Sequence, residues 1–185
     1  MQITRQMLMR AVPELYFARV DEFVASFNMW AIPFGLNTPQ RIVHYLAQVF
    51  HESGALCYVE ELASGAQYEG RKDLGNTQKG DGVRFKGRGY IQLTGRANYT
   101  KLNAYDLCTE DIIKHPEKVA EFPINQIASM WFWQTHKLNE MADRDDGAKI
   151  GEDVCRQITK VINGGTNGIA QRLFYYRRFR KEFGL

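Results

Sequence analysis

Long apolar runs are missing from this 185-residue sequence, and no stretch approaches the roughly 18 residues of a membrane-spanning helix. Met1 to Arg10 holds Arg5 and Arg10 but no apolar segment of the kind that marks a secretory leader. A protein made in a cytosol is therefore expected, one that stays there unless something else releases it. Cysteine is scarce. Cys57, Cys108 and Cys155 are an odd number without a C-x-x-C pair, which argues against a disulfide framework or a zinc site and suits a reducing compartment. There is no internal repeat and no low-complexity linker.

What is present fits one compact domain. Hydrophobic content of 44% and charged content of 24% are ordinary globular values. The net charge is only +3, but Gln171 to Glu182 alone carries five cations and one acid, so the basic character belongs to the tail. Helical spacing dominates. Short and longer helices are expected over Thr4–Ala11 and Glu14–Trp30. Thr38-Pro39 supplies an N-cap and a first-turn proline to a helix whose stripe is Ile42, Val43, Leu46, Val49 and Phe50. Its other side gathers His44, Gln48, His51 and Glu52, and Ser53-Gly54 should end it. Tyr90–Thr94 reads as a short strand or bend, and Asn98–Tyr105 and Pro116–Ala120 as short helical pieces. Pro123–Leu138 reads as a buried helix, Met141–Gly151 as a polar loop, and Glu152–Ile162 and Ile169–Phe183 as the last helices. The class is mainly α, with one long loop region and at most a small β element.

That loop region, His51 to Tyr99, concentrates side chains that can do chemistry. His51-Glu52 invites the zinc-protease pattern H-E-x-x-H, but position 55 is Ala and the second ligand is missing. The glycine-rich run Gly80–Gly95 contains neither G-x-x-x-x-G-K-[ST] nor G-x-G-x-x-G, so a phosphate loop finds no support. Lys86, Arg88 and Arg96 are scattered among Gln, Thr and Asn, and the domain outside the tail is near neutral, which favours a sugar groove over nucleic acid. Separated acids, Glu52 and the pair Glu60-Glu61, stand beside this run. Glycosidases need two such carboxyls, one to protonate the leaving group and one to activate water. Nine residues at helical pitch would point Glu52 and Glu61 in opposite directions, so the chain must turn between them if they cooperate.

Taken together, His51-Glu52-Ser53-Gly54, Glu61, the string from Gly87 to Tyr99 (G-R-G-Y-I-Q-L-T-G-R-A-N-Y) and Ile162-Asn163-Gly164-Gly165 resemble glycoside hydrolase family 19, the chitinase-like fold, and in particular its short phage and prophage endolysins. The resemblance implies a lysozyme-like single catalytic domain over 1–185 without a separate wall-binding domain. It implies Glu52 as general acid, Glu61 as general base with Glu60 its close competitor, and Thr94 as the hydroxyl that helps hold the attacking water. His51, Gln92, Asn98, Tyr99, Asn163 and Arg172 take positions that bind sugar or support the acids. Asn167 replaces an acid that the plant enzymes carry after N-G-G. The implied reaction is inverting hydrolysis of peptidoglycan glycan strands, most simply as an N-acetylmuramidase, with carboxyls about 6.5–9.5 Å apart and no metal or cofactor. A monomer without a nucleic-acid partner is expected. It would wait in the host bacterial cytoplasm until a membrane lesion releases it to the wall. The basic tail helix is expected to dock on the core or to touch the anionic envelope. A chitinase, a lytic transglycosylase and a non-catalytic wall-binding module stay open as alternatives.

Overall fold

The computed structural model describes residues 1–185. In chain order its helices are α1 (Arg5–Ala11), α2 (Val20–Trp30), α3 (Pro39–Glu52), α4 (Asp81–Arg84), α5 (Arg96–Asn103), α6 (Ile124–Thr135), α7 (Leu138–Ala142), α8 (Ala148–Asn163) and α9 (Ile169–Glu182). Strand pairing is limited to isolated bridges of Glu60 with Arg88 and of Arg88 with Leu93, so the fold is mainly α, as expected. No helix is long and apolar enough to cross a membrane. The chain divides into two compact units, Met1–Cys57 with Phe132–Leu185, and Tyr58–Trp131.

The first unit is built on α3. The Thr38 hydroxyl accepts from the Arg41 N–H and Pro39 opens the helix, as the sequence predicts. Ile42, Val43, Leu46, Val49 and Phe50 are fully buried, and so are His44 and Gln48 on the other side, because α3 packs along α9. Phe50 lies edge-on to Phe23 at 5.3 Å and 5.3 Å from Phe179, which joins α2, α3 and α9 in one aromatic core. The helix stops where Ser53 Oγ donates back to the Val49 carbonyl (2.7 Å). Ala55 and Leu56 then take left-handed φ values of +56° and +72°.

Three predicted boundaries move. The helix expected from Glu14 begins at Val20, because the Tyr16 N–H donates to Ala55 O (2.9 Å) and Arg19 Nη1 to the carbonyls of Leu56 (3.0 Å) and Cys57 (2.6 Å). The helix expected to reach Leu138 ends at Thr135, since Lys137 turns left-handed (φ +54°) before α7. The loop expected to last until Gly151 yields to α8 at Ala148, straight after Gly147.

The basic tail docks, as one of its two expected roles requires. Arg172 is buried, Arg177 pairs with Glu152 (2.7 Å), Arg178 Nε donates to Ala11 O (2.7 Å) and Arg180 reaches Asp145 (3.0 Å). Asp145 also accepts from Tyr176 OH (2.8 Å) and lies 3.1 Å from Nε2 of His44, whose ring stacks on Tyr176. Burial pushes the His44 pKa down against the opposing bond to Asp145. A neutral ring donating from Nε2 leaves Nδ1 as an unpartnered acceptor, whereas a protonated ring would leave a buried N–H without a partner.

The second unit has little regular structure and is held by side chains. Asp81 and Arg96 form a two-point ion pair at 2.5 and 2.9 Å. The carboxylate of Glu69 accepts from the N–H groups of Gly80 (2.7 Å) and Gly82 (2.8 Å). Buried Asn76 donates to Tyr68 O (2.9 Å) and accepts from Arg96 N (2.8 Å), bridging two loops. Phe85, Tyr99, Leu102, Ile112, Val119, Ile127 and Met130 form the apolar core beneath. The stretch Tyr90–Thr94 is a tight turn rather than a strand. Gln92 has φ +53°, and the Arg88 and Leu93 backbones exchange hydrogen bonds across it.

Candidate active site

Each unit carries one of the two predicted acids. In the first, Glu52 is the last residue of α3, with its side chain 20% exposed. Its Oε1 accepts from Nη2 of Arg172, a residue of α9 that is only 1% exposed. The same guanidinium donates through Nη1 to Gln48 Oε1 (2.5 Å) and through Nε to Asn167 O (3.3 Å), and Gln48 donates to Thr159 Oγ1 (3.2 Å). A line of satisfied polar groups thus runs from α8 through α3 and α9 and ends at Glu52 Oε1.

Beside it, His51 Nδ1 lies 2.6 Å from Gln171 Oε1, and Gln171 Nε2 reaches Tyr175 OH (3.3 Å). An amide oxygen only accepts, so His51 carries its proton on Nδ1. Burial, and then the Arg172 charge, push the His51 pKa below its usual value, so the ring is neutral at pH 7. Gly168 lets the last turn approach this ring. A Cβ there would stand 2.0 Å from His51 Cε1, and its φ of +71° suits glycine. Asn163 shapes the same turn, donating to Asn167 O (2.9 Å) and accepting from Gly165 N (2.8 Å).

In the second unit, the Glu61 carboxylate accepts only from neutral groups, while the backbone carbonyl of the same residue takes Lys86 Nζ (3.1 Å). Oε1 takes Gln67 Nε2 (2.8 Å) and Tyr68 OH (3.2 Å), and Oε2 takes the Gly87 N–H (3.2 Å). Its neighbour Glu60 is different. It is paired with Arg88 (3.0 Å) and Lys86 (3.3 Å). Gly87 is where the site converges. A Cβ on it would lie 2.7 Å from Gln92 Oε1 and 3.3 Å from both Glu61 Oε2 and Thr94 Oγ1. The Thr94 hydroxyl gives its proton to Gln92 O (2.9 Å) and the Gln92 amide donates to Gly89 O (3.1 Å). All three oxygens therefore keep acceptor capacity close beside the Gly87 backbone, and what could be held next to them is a donor, such as the O–H bonds of a water. Asn98, on α5, donates to Thr94 O (2.9 Å) and fixes the end of that turn.

Of the residues expected to bind sugar or support the acids, Tyr99 and Arg172 are too buried to bind sugar. Tyr99 is completely buried, donates to Lys86 O (2.9 Å), accepts from Arg88 Nη1 (3.2 Å), and has its pKa pushed up to about 12 by burial. It braces the Glu60–Arg88 pair and cannot reach a substrate. Arg172 is equally inaccessible and takes the second of these roles, pairing with Glu52. Gln67, Tyr68 and Gln171, which hold Glu61 and His51, are absent from the sequence prediction. Gln67 and Tyr68 lie in a single 3-10 turn, Ala66–Tyr68, too short for any periodicity to mark a partner of Glu61.

The chain is similar in sequence and in fold to known proteins. The family profile described as Chitinase class I, glycoside hydrolase family 19, matches residues 42–184. A glycosyl hydrolase family 19 domain-containing protein of Haemophilus influenzae is 32% identical over 63% of this chain and 52% of its own length. An endochitinase of Arabidopsis thaliana is 31% identical over 94% of this chain and 59% of its own. The chain thus spans between half and three-fifths of the length of these relatives. Among solved structures, chitinase C from Streptomyces griseus superposes with a TM-score of 0.63 at 18% identity, over 98% of this chain and 76% of that one.

Proposed function

From its membership of glycoside hydrolase family 19, to which the chain belongs, we propose that it hydrolyses the glycan strands of bacterial peptidoglycan as an inverting muramidase of the endolysin type. Glu52 protonates the glycosidic oxygen as the bond to the anomeric carbon breaks. Glu61 takes a proton from the water that attacks that carbon, and Thr94 accepts the water's other O–H. One proton leaves Glu52 and one arrives on Glu61, and both return through solvent. Arg172 stabilises the carboxylate that Glu52 becomes once its proton has gone.

The observation that carries the reading is the contrast between the acids. Glu52 is tied to one buried cation, while Glu61 sits in neutral hydrogen bonds at a point rimmed by acceptors. Glu61, rather than the ion-paired Glu60, is therefore the base. Peptidoglycan is preferred to chitin on the sequence resemblance to phage and prophage endolysins, with the protein held in the host cytoplasm until a membrane lesion gives it access to the wall. Chitin is the second reading, favoured by the name of the Arabidopsis relative.

Mass spectrometry of digested peptidoglycan, with and without borohydride reduction, tests the proposal beside Glu52→Gln. Reducing-end MurNAc from the wild type and none from the variant is the expected result. Reducing-end GlcNAc would make it a glucosaminidase, and anhydro-MurNAc ends would replace hydrolysis by transglycosylation. Cleavage of chitin oligomers alone would move the substrate to chitin.

A further inference from the structure

The second unit contains a polar cavity of about 380 Å³ that plays no part in the chemistry above. Its lining includes Gln78, Lys79, Gly80, Asp81, Arg84 and Arg96. The one acid among them is already matched. Asp81 accepts from Arg96 twice and from Gln78 N (2.9 Å), and these bonds, the one from Arg96 foremost, hold its pKa below the usual value against its burial. Arg84 and Lys79 have no carboxylate partner, so the lining carries two uncompensated positive charges. The nearby Glu69 carboxylate is tied to the Gly80 and Gly82 N–H groups.

Both guanidinium groups are held in place. Arg84 donates through Nη2 to Ile113 O (2.7 Å) and lies 5.7 Å from the Phe85 ring centroid. Arg96 lies over the same ring at 4.7 Å. Their Nη1 groups and the Lys79 Nζ donate to nothing within the protein. Fixed forks with a free N–H, beside an untethered ammonium, are what carboxylate recognition uses.

We infer that this cavity binds carboxylates of the acidic peptide that peptidoglycan carries on its lactyl groups, a feature absent from chitin. The inference rests on peptidoglycan being the substrate. It makes the cavity the place where the two polymers are told apart, since poly-GlcNAc offers no anion to these cations.

Two measurements test it, and only one of them depends on catalysis. The isolated acidic stem peptide is titrated into the wild-type protein, Lys79→Glu and Arg84→Gln, followed by amide NMR shifts. The same peptide with its carboxylates amidated is the control. Binding with shifts at Gly80, Asp81 and Arg96, weakened about tenfold by Lys79→Glu and lost on amidation, is expected. Separately, kcat/KM is compared on stem-bearing peptidoglycan and on the same glycan stripped by an amidase, with the lactyl carboxylates so freed capped as amides. Lys79→Glu, a solvent-facing change, should slow only the former, by about fivefold. Equal binding of the amidated peptide, or equal slowing on both glycans, overturns the inference and leaves the hydrolase reading standing. If no glycan is cut, that reading falls, and the titration alone decides whether the cavity takes carboxylates.

Discussion

Gly87→Ala adds one methyl group where the acceptors of Glu61, Gln92 and Thr94 meet. Gly87 has no left-handed φ, so alanine brings no backbone strain, and losing glycine's freedom in the unfolded chain stabilises by about 0.4–1 kcal/mol. The close contact is Gln92 Oε1 at 2.7 Å, the far end of a flexible side chain. Moving it breaks at most the bond from Gln92 Nε2 to Gly89 O, worth about 1 kcal/mol. The two terms nearly cancel, so stability should stay within about 1 kcal/mol of the wild type. Activity should not. The methyl projects to within 3.3 Å of both Glu61 Oε2 and Thr94 Oγ1, and so crowds a water held beside them. A positioned general base contributes about 10²–10⁴-fold, and displacing a reactant by about 1 Å can cost about 10²-fold. A fall in kcat of at least about 10²-fold is expected, with KM little changed. Urea unfolding followed by tryptophan fluorescence and steady-state release of reducing ends, on one preparation, read both quantities. Activity within threefold of the wild type, from a folded variant, would refute the claim that these acceptors hold the nucleophile.

Glu61→Gln should lower kcat by about 10²–10⁴-fold while Glu60→Gln lowers it by less than about tenfold, and the reverse order in the same assay would reassign the base. Arg172→Met removes the donor to Gln48 Oε1 and Glu52. With Glu52 partly solvated, the destabilisation should be about 3 kcal/mol, read as a lower urea midpoint at constant slope. His44 and His51 both have folded pKa values below the ordinary 6.5, so below pH 6.5 the unfolded chain binds protons that the folded chain refuses. Stability should therefore fall by about 1–2 kcal/mol from pH 7 to 5.5, and less in His44→Gln; equal urea midpoints at the two pH values would contradict the neutral, buried ring.

Where the sequence predicts the structure well, the determinants are local. The start of α3 rests on Thr38 and Pro39 and its end on Ser53, all within one turn of the boundary, and its stripe has a period that hydrophobicity displays. The start of α2 is different, since the bonds that keep Glu14–Arg19 out of it come from carbonyls at Ala55, Leu56 and Cys57. The site divides in the same way. That two separated acids beside a glycine-rich run suit a glycosidase is a matter of residue type and spacing. Which of Glu60 and Glu61 is free of cations is decided by Lys86 and Arg88, more than 25 residues on, through pairing that no period encodes. Burial also sorts residues that look alike in sequence. Tyr99 and Asn98 are adjacent, yet the step of about 100° between neighbours on α5 sends the tyrosine into the core against Arg88 and leaves the amide on the Thr94 turn. The same holds for the tail. A run of five cations reads either as a docking helix or as a surface for anions, and which of its charges are matched within the fold is not visible in it. Arg172, Arg177 and Arg180 each pair with a carboxylate of the protein and Arg178 donates to the Ala11 carbonyl, so the helix docks on the core and its Arg172 seats Glu52.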